Sequence, residues 1–223
     1  MGPNVPVAGE AYPFVGVLGG LALIMALALG PPWALPGVLL ALFVLWFFRD
    51  PERPVPDADG LILSPADGRV TGVHDEAGRA RISIFLSIFD CHINRSPVAG
   101  TIVDACYTPG RFRPAFDRRA ARDNERNHLT IRAPDGEYGV TQVAGLLARR
   151  IVCRKRVGEA LRRGERFGMI RFGSRTDLLL PPGVRPLVRV GDRVTGGMTI
   201  MAQGAAAGGR GDLAAAASGP GFA

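Results

Sequence analysis

Residues 11–48 form a run of 38 positions without one charged side chain, interrupted only by Gly30-Pro31-Pro32. A bilayer core is crossed by roughly 20 helical residues, so the run is too long for one span and fits two. We expect an N-terminal two-helix membrane hairpin over residues 1–48, with legs at about 11–29 and 33–48. The second leg is short, which leaves a re-entrant or interfacial placement open. Two features argue against a cleaved signal peptide: the residues before the run carry no basic side chain, and the apolar stretch is too long. Trp46-Phe47-Phe48-Arg49 reads as an interfacial aromatic belt ending on a cytoplasmic arginine.

Charge is lopsided. Glu10 is the sole charged residue before Arg49, and the remainder carries 27 basic against 19 acidic residues, about +8. By the positive-inside rule that domain stays on the cytoplasmic face of the cell membrane, where it should prefer anionic surfaces. No aromatic-interleaved basic stripe or zinc-finger spacing supports a nucleic-acid partner. Lys155 is the only lysine, inside the run Arg149-Arg150-Ile151-Val152-Cys153-Arg154-Lys155-Arg156, so a pyridoxal cofactor has one poorly placed candidate. Cys91, Cys106 and Cys153 are odd in number and scattered, which fits reduced, mostly buried thiols rather than a disulfide frame or a metal site.

After a proline-rich link at residues 49–56, expected to be extended and stiff, the pattern turns to short strands. Leu61-Ile62-Leu63 and Arg69-Val70-Thr71-Gly72-Val73 flank the turn Ser64-Pro65-Ala66-Asp67-Gly68, and Ile82, Ile84, Leu86 and Ile88 alternate with Ser83, Phe85, Ser87 and Phe89. Pro134-Asp135-Gly136 between two alternating runs signals a hairpin. Residues 107–126 read as a long basic loop, residues 158–163 as a helical turn or two, and residues 204–223 as a disordered Gly/Ala-rich tail. One β-rich domain therefore occupies residues 49–203.

Gly173-Ser174 stands between the strand-like runs Met169-Ile170 and Leu178-Leu179-Leu180. Its plain reading is a tight turn. Its chemical reading is that the Ser174 hydroxyl attacks the carbonyl of Gly173, which has no Cβ to block the approach, and turns the amide into an ester. Elimination then cuts the chain and leaves a dehydroalanine that hydrolyses to a pyruvoyl group. Such a ketone condenses with an amine as a Schiff base and acts as an electron sink.

Several stretches decide between these readings. Trp46-Phe47-Phe48-Arg49-Asp50-Pro51, Ser64-Pro65-Ala66-Asp67-Gly68, Phe85-Leu86-Ser87-Ile88-Phe89-Asp90-Cys91-His92-Ile93-Asn94-Arg95-Ser96-Pro97, Asn124-Glu125-Arg126-Asn127 and Phe172-Gly173-Ser174-Arg175 stand in one order. In that order and spacing the chain resembles the short, hairpin-anchored branch of the pyruvoyl-dependent phosphatidylserine decarboxylases, from about Phe47 to Ala202.

The resemblance implies a proenzyme that cuts itself between Gly173 and Ser174. The products are a β chain of residues 1–173 and an α chain of residues 174–223, held together as a heterodimer because strands from both share a sheet. It implies a carboxy-lyase that converts phosphatidylserine to phosphatidylethanolamine and carbon dioxide, with a pyruvoyl cofactor derived from Ser174. Asp67 matches the family's acidic triad member, which orients a base, and His92 matches its general acid and base. The longer branch has a second histidine where this chain has Arg95. Either His92 serves both proton transfers or His128 takes one, and Arg95 either pairs with the substrate's carboxylate or phosphate or forms a surface ion pair. The turns around Asp67 and Val190-Gly191-Asp192-Arg193-Val194 also resemble those of biotinyl/lipoyl barrel-sandwich domains, without their attachment lysine. The fold expected is mainly β, a barrel-sandwich-like core with long loops and few helices behind the hairpin. The alternatives are a decarboxylase of archaetidylserine or another serine phospholipid, and a non-enzymatic membrane-anchored barrel adaptor.

Overall fold

The computed structural model describes residues 7–111, 123–145, 150–171 and 174–204. Its two long helices, α1 (Tyr12–Leu29) and α2 (Leu35–Phe47), are joined by a 3-10 turn at Pro31–Ala34. They pack so closely that a Cβ on Gly37 would meet Ala22 at 2.9 Å. Outward they show Leu23, Ile24, Leu27 and Leu39 to the surroundings. A large apolar surface of this kind marks a membrane or partner contact. The segment Gly9–Leu29 is long and apolar enough to cross a membrane, whereas Pro31–Phe47 is shorter.

The base of the hairpin is docked on the rest of the chain. Ala8 N–H donates to the Phe48 carbonyl at 2.7 Å, and Ala8, Ala11, Val44, Phe47 and Phe48 form an apolar cluster with Cys91, Ile93 and Met169. The aromatic belt expected at Trp46-Phe47-Phe48 is corrected here. Trp46 is exposed, but Phe47 and Phe48 are buried against the domain.

Thirteen strands follow among the described residues: β1 (Leu61–Leu63), β2 (Gly68–Glu76), β3 (Arg79–Leu86), β4 (Ile93–Arg95), β5 (Gly100–Thr108), β6 (Arg126–Ala133), β7 (Gly136–Ala144), β8 (Ile151–Cys153), β9 (Ala160–Leu161), β10 (Arg166–Ile170), β11 (Ser174–Leu179), β12 (Arg193–Val194) and β13 (Ile200–Gln203). A curled eight-stranded sheet runs in the order β12-β2-β3-β11-β7-β6-β5-β9, a second sheet is β4-β10-β8, and β1 pairs with β13. The mainly β fold expected from alternation is the one observed. Ile82, Ile84, Leu86, Leu129, Ile131, Val140 and Leu178 point from successive strands into one core, because side chains two apart share a face.

Local differences have physical causes. Residues 158–163 hold strand β9 and turns rather than a helical turn, since Gly100 and Thr101 of β5 pair with Leu161 and Ala160. The proline-rich link lacks regular structure but is strapped down where Arg53 binds Asp67 at 2.8 Å, and just beyond it Arg163 donates to the Ala58 carbonyl at 2.6 Å. Of the three thiols only Cys91 is buried, and Cys106 is exposed on β5. Most of the expected 107–126 loop and the tail beyond residue 204 lie outside the described residues.

Candidate active site

The two larger sheets are built from the same three stretches of chain. β3, β11 and β7 lie side by side in one, and β4, β10 and β8 in the other, so a break separates Leu86, Ser174 and Ala144 on one side from Ile93, Ile170 and Ile151 on the other. On one lip of this break Ser174 pairs with Leu86 and Ala144. On the other, Ile170 pairs with Ile151 and donates its N–H to the His92 carbonyl at 3.2 Å. β11 and β10, the strands on either side of the Gly-Ser pair in sequence, are the middle members of the two sets. Phe172 and Gly173 lie outside the described residues.

Ser174 opens β11 at the centre of the large sheet, and alternation sets it, Thr176 and Leu178 on the core face. It is 0% exposed, and among the described residues its Oγ has no hydrogen-bond partner. Leaving a buried hydroxyl unmade costs about 1–3 kcal/mol, which a residue kept only for stability has no reason to bear.

His92 is enclosed at the end of the 87–92 crossing. Its Nδ1 lies 2.9 Å from the Asp90 carbonyl oxygen. A carbonyl only accepts, so Nδ1 carries the proton and Nε2 is the basic nitrogen. Burial pushes the imidazole pKa down to about 4, against the Asp90 carbonyl bond and carboxylate charge that raise it. Asp90 in turn stiffens the crossing by accepting from Ser87 N–H and Oγ at 2.8 and 2.7 Å.

The other residues singled out in the sequence fall in different places. Asp67 accepts from Arg53 at 2.8 Å and from Gly196 N–H at 2.7 Å, and among the described residues no hydrogen bond joins it to His92. Its carboxylate is close enough to influence Cys91, the neighbour of His92. Arg95 is neither on the surface nor open to a ligand: it binds Asp50 at 2.7 Å and the carbonyls of Pro51 and Gly164. His128 is across the sheet. It pairs with Thr141, which pairs with Asp177, and Asp177 is three residues from Ser174, so its side chain faces away from the Ser174 hydroxyl. There His128 meets Thr141 Oγ1 at 2.8 Å and lines an open cleft of about 220 Å³ with Arg81 and Asp177.

A buried polar chain bridges the break beneath Ser174. Asn94 of β4 donates to Thr176 Oγ1 of β11 at 3.0 Å and accepts from Gln142 of β7 at 2.8 Å, and Gln142 accepts from Asn127 of β6 at 3.0 Å. Asn94 and Asn127 stand in the sequence motifs, but Gln142 and Thr176 were missed. Both sit at inward positions of apolar strands, and a polar residue at such a position is the signal that finds them.

A family model described as phosphatidylserine decarboxylase matches residues 40–202. The chain belongs to the phosphatidylserine decarboxylase family. It is 54% identical over 206 residues to the phosphatidylserine decarboxylase proenzyme of Symbiobacterium thermophilum, covering 87% of this chain and 94% of that one. Proteins of the same name from Cereibacter sphaeroides and Ralstonia nicotianae are 46% and 44% identical over 208 residues. Those matches cover 88% and 90% of this chain and 89% and 97% of theirs.

Proposed function

We propose that this protein is made as a proenzyme, cleaves itself between Gly173 and Ser174, and decarboxylates phosphatidylserine to phosphatidylethanolamine at the cytoplasmic face of a membrane. The observation that carries the reading is the buried, unbonded Ser174 hydroxyl at the head of the central strand, on the lip of the sheet break opposite His92.

In the cleavage step Ser174 Oγ attacks the Gly173 carbonyl carbon. The Ser174 nitrogen leaves as an amine, and an ester joins the two residues. His92 Nε2, neutral at pH 7, takes the hydroxyl proton and returns it to the departing nitrogen. Loss of the Ser174 Cα proton then expels the Gly173 carboxylate, and water converts the resulting enamine to a ketone with release of ammonia. The site fits that product, since among the described residues the buried Ser174 Oγ has no hydrogen bond to give up. A pyruvoyl group there supplies a carbonyl that joins an amine and takes up the electron pair freed as carbon dioxide departs.

This chain's own residues do the rest. His92 Nε2 takes up a proton from water and relays it to the carbon losing its carboxyl. Asp67 acts as a positioning residue, through its charge near the 87–92 crossing and its hold on Arg53. The hairpin of residues 1–48 inserts in the bilayer, with the basic 49–203 domain drawn to anionic lipid. The α chain stays bound to the β chain.

Denaturing gels and intact mass of purified protein test the reading. Active material should yield chains of 173 and 50 residues, the smaller with a pyruvoyl end, while Ser174→Ala stays intact. An intact chain in active material, with an unmodified serine at position 174, overturns it. Hydroxylamine should abolish activity, with no rescue by pyridoxal phosphate.

A further inference from the structure

A serine phospholipid carries its headgroup on a phosphodiester, and a site that captures one needs a cation. The arginines nearest the sheet break are mostly spent. Arg95 is bound to Asp50, Arg166 to Glu10 and Asp50, and Arg175 to Asp177 through two bonds of 2.6 and 2.8 Å. Arg171 is different. Among the described residues it has no ion pair, and its buried Nε has no hydrogen-bond partner. Its backbone N–H donates to the carbonyl of Arg150, and burial together with the Arg150 charge lowers its pKa. The Glu10 carboxylate acts the other way on Arg171, but it is already paired with Arg154 and Arg166, so Arg171 keeps positive charge that a bound anion would relieve.

The surroundings say which anion. The Arg171 guanidinium carbon lies 5.3 Å from the ring centroid of Phe14, in the first turn of α1, and 6.0 Å from that of Phe48, directly after α2. It therefore sits at the base of the hairpin, the level of the lipid headgroups once the hairpin is in a bilayer. Phe48 contacts Phe47, and Phe47 contacts His92, so the guanidinium belongs to the same aromatic patch as the candidate base. Arg171 is three residues before Ser174, at most about 11 Å along an extended chain.

We propose that Arg171, supported by Arg150 and resting over the rings of Phe14 and Phe48, is the receptor for the phosphodiester of the lipid substrate. The proposal rests on the decarboxylase reading above and assigns to Arg171 the task that the sequence offered to Arg95. The substrate carboxylate is the wrong target for an arginine. Its charge is discharged in the reaction, so a guanidinium fixed on it stabilises the ground state more than the transition state. The phosphodiester charge does not change, and binding it is uniform: it lowers KM and leaves kcat alone.

The test uses the cleaved enzyme in mixed micelles. Arg171→Gln should raise KM for phosphatidylserine roughly ten-fold with kcat nearly unchanged, as loss of one charged hydrogen bond does. Arg171→Lys, which keeps charge but loses the planar fork, should fall between, and Arg150→Gln should raise KM by a smaller factor. Glycerophosphoethanolamine, with the phosphodiester and no carboxylate, should compete with substrate in the unaltered enzyme and lose about ten-fold in Arg171→Gln. A cleaved Arg171→Gln enzyme with unchanged KM and unchanged competition overturns the proposal. Should that variant fail to cleave, unchanged KM in both Arg171→Lys and Arg150→Gln overturns it. Cleaved protein that turns over no phosphatidylserine would sink the decarboxylase reading instead. Calorimetric titration of glycerophosphoethanolamine into unaltered and Arg171→Gln protein then still decides whether Arg171 binds the phosphodiester.

Discussion

The ring of Phe47 lies against the imidazole of His92, with centroids 4.4 Å apart and planes tilted by 36°. Phe47 is the last residue of the hairpin's second helix, so the apolar hairpin forms a wall of the candidate active site. Phe47→Ala should cost about 3–5 kcal/mol of stability as a large core truncation. It should also admit water to His92 and let its pKa climb from about 4 toward the ordinary 6.5. The acid limb of the self-cleavage rate should then move to higher pH, which time courses of proenzyme loss in liposomes will record.

The low pKa of His92 also sets the direction of acid sensitivity. The unfolded chain takes up a proton near pH 6.5 and the folded one near pH 4, so the stabilisation is full above 6.5 and fades as pH falls toward 4. The His92 share is about 3 kcal/mol, or roughly 6–12 °C in melting temperature. Burial lowers the His128 pKa too, and it works in the same sense. Melting curves of detergent-solubilised Ser174→Ala protein at pH 7.5 and 4.5 should show the loss, and adding His92→Gln should remove much of it.

Gln142 joins both sides of the sheet break. Gln142→Leu would leave Asn94 Oδ1 and Asn127 Nδ2 buried without these partners, at about 1–3 kcal/mol for each group. Thr176→Val keeps the shape and removes only the acceptor for Asn94, so it should cost less. Both should slow self-cleavage in proportion to the lost stability, readable from melts and cleavage time courses on the same samples.

Arg166 fastens the two ends of the hairpin. It binds Glu10, just before α1, at 3.0 Å and Asp50, just after α2, at 2.9 Å. Arg166→Ala should cost about 1–3 kcal/mol locally. It should speed protease nicking within residues 51–60, while chains that remain intact there still cleave at Ser174. Limited proteolysis in micelles, read by mass, checks both.

Much of this was legible in order along the chain. The uncharged run announced the two helices, alternation announced β3, and Pro134-Asp135-Gly136 announced the β6–β7 hairpin. What escaped depends on partners far away in sequence. Arg95 is claimed by Asp50, 45 residues earlier, and the side of the sheet that His128 occupies follows only from its register with β7. The helix formers in residues 158–163 were overruled by pairing with β5, a tertiary contact that propensity does not contain. The sheet break was invisible for the same reason, since it exists only once three distant strand pairs are aligned. The expectation for Gly173 rests on its neighbour's chemistry, its own position lying outside the described residues.

Strands β11, β12 and β13 pair only with strands from before Ser174: β11 with β3 and β7, β12 with β2, and β13 with β1. Among the described residues from Ser174 onward the stretch pairs with itself only at the single bridge of Pro186 with Ala202, so as a separate peptide it has little to fold around. This imposes a chronology on maturation. If scission falls before Ser174 as proposed, assembly has to come first, and a pool of orphan fragments awaiting mates would have no place in the life cycle.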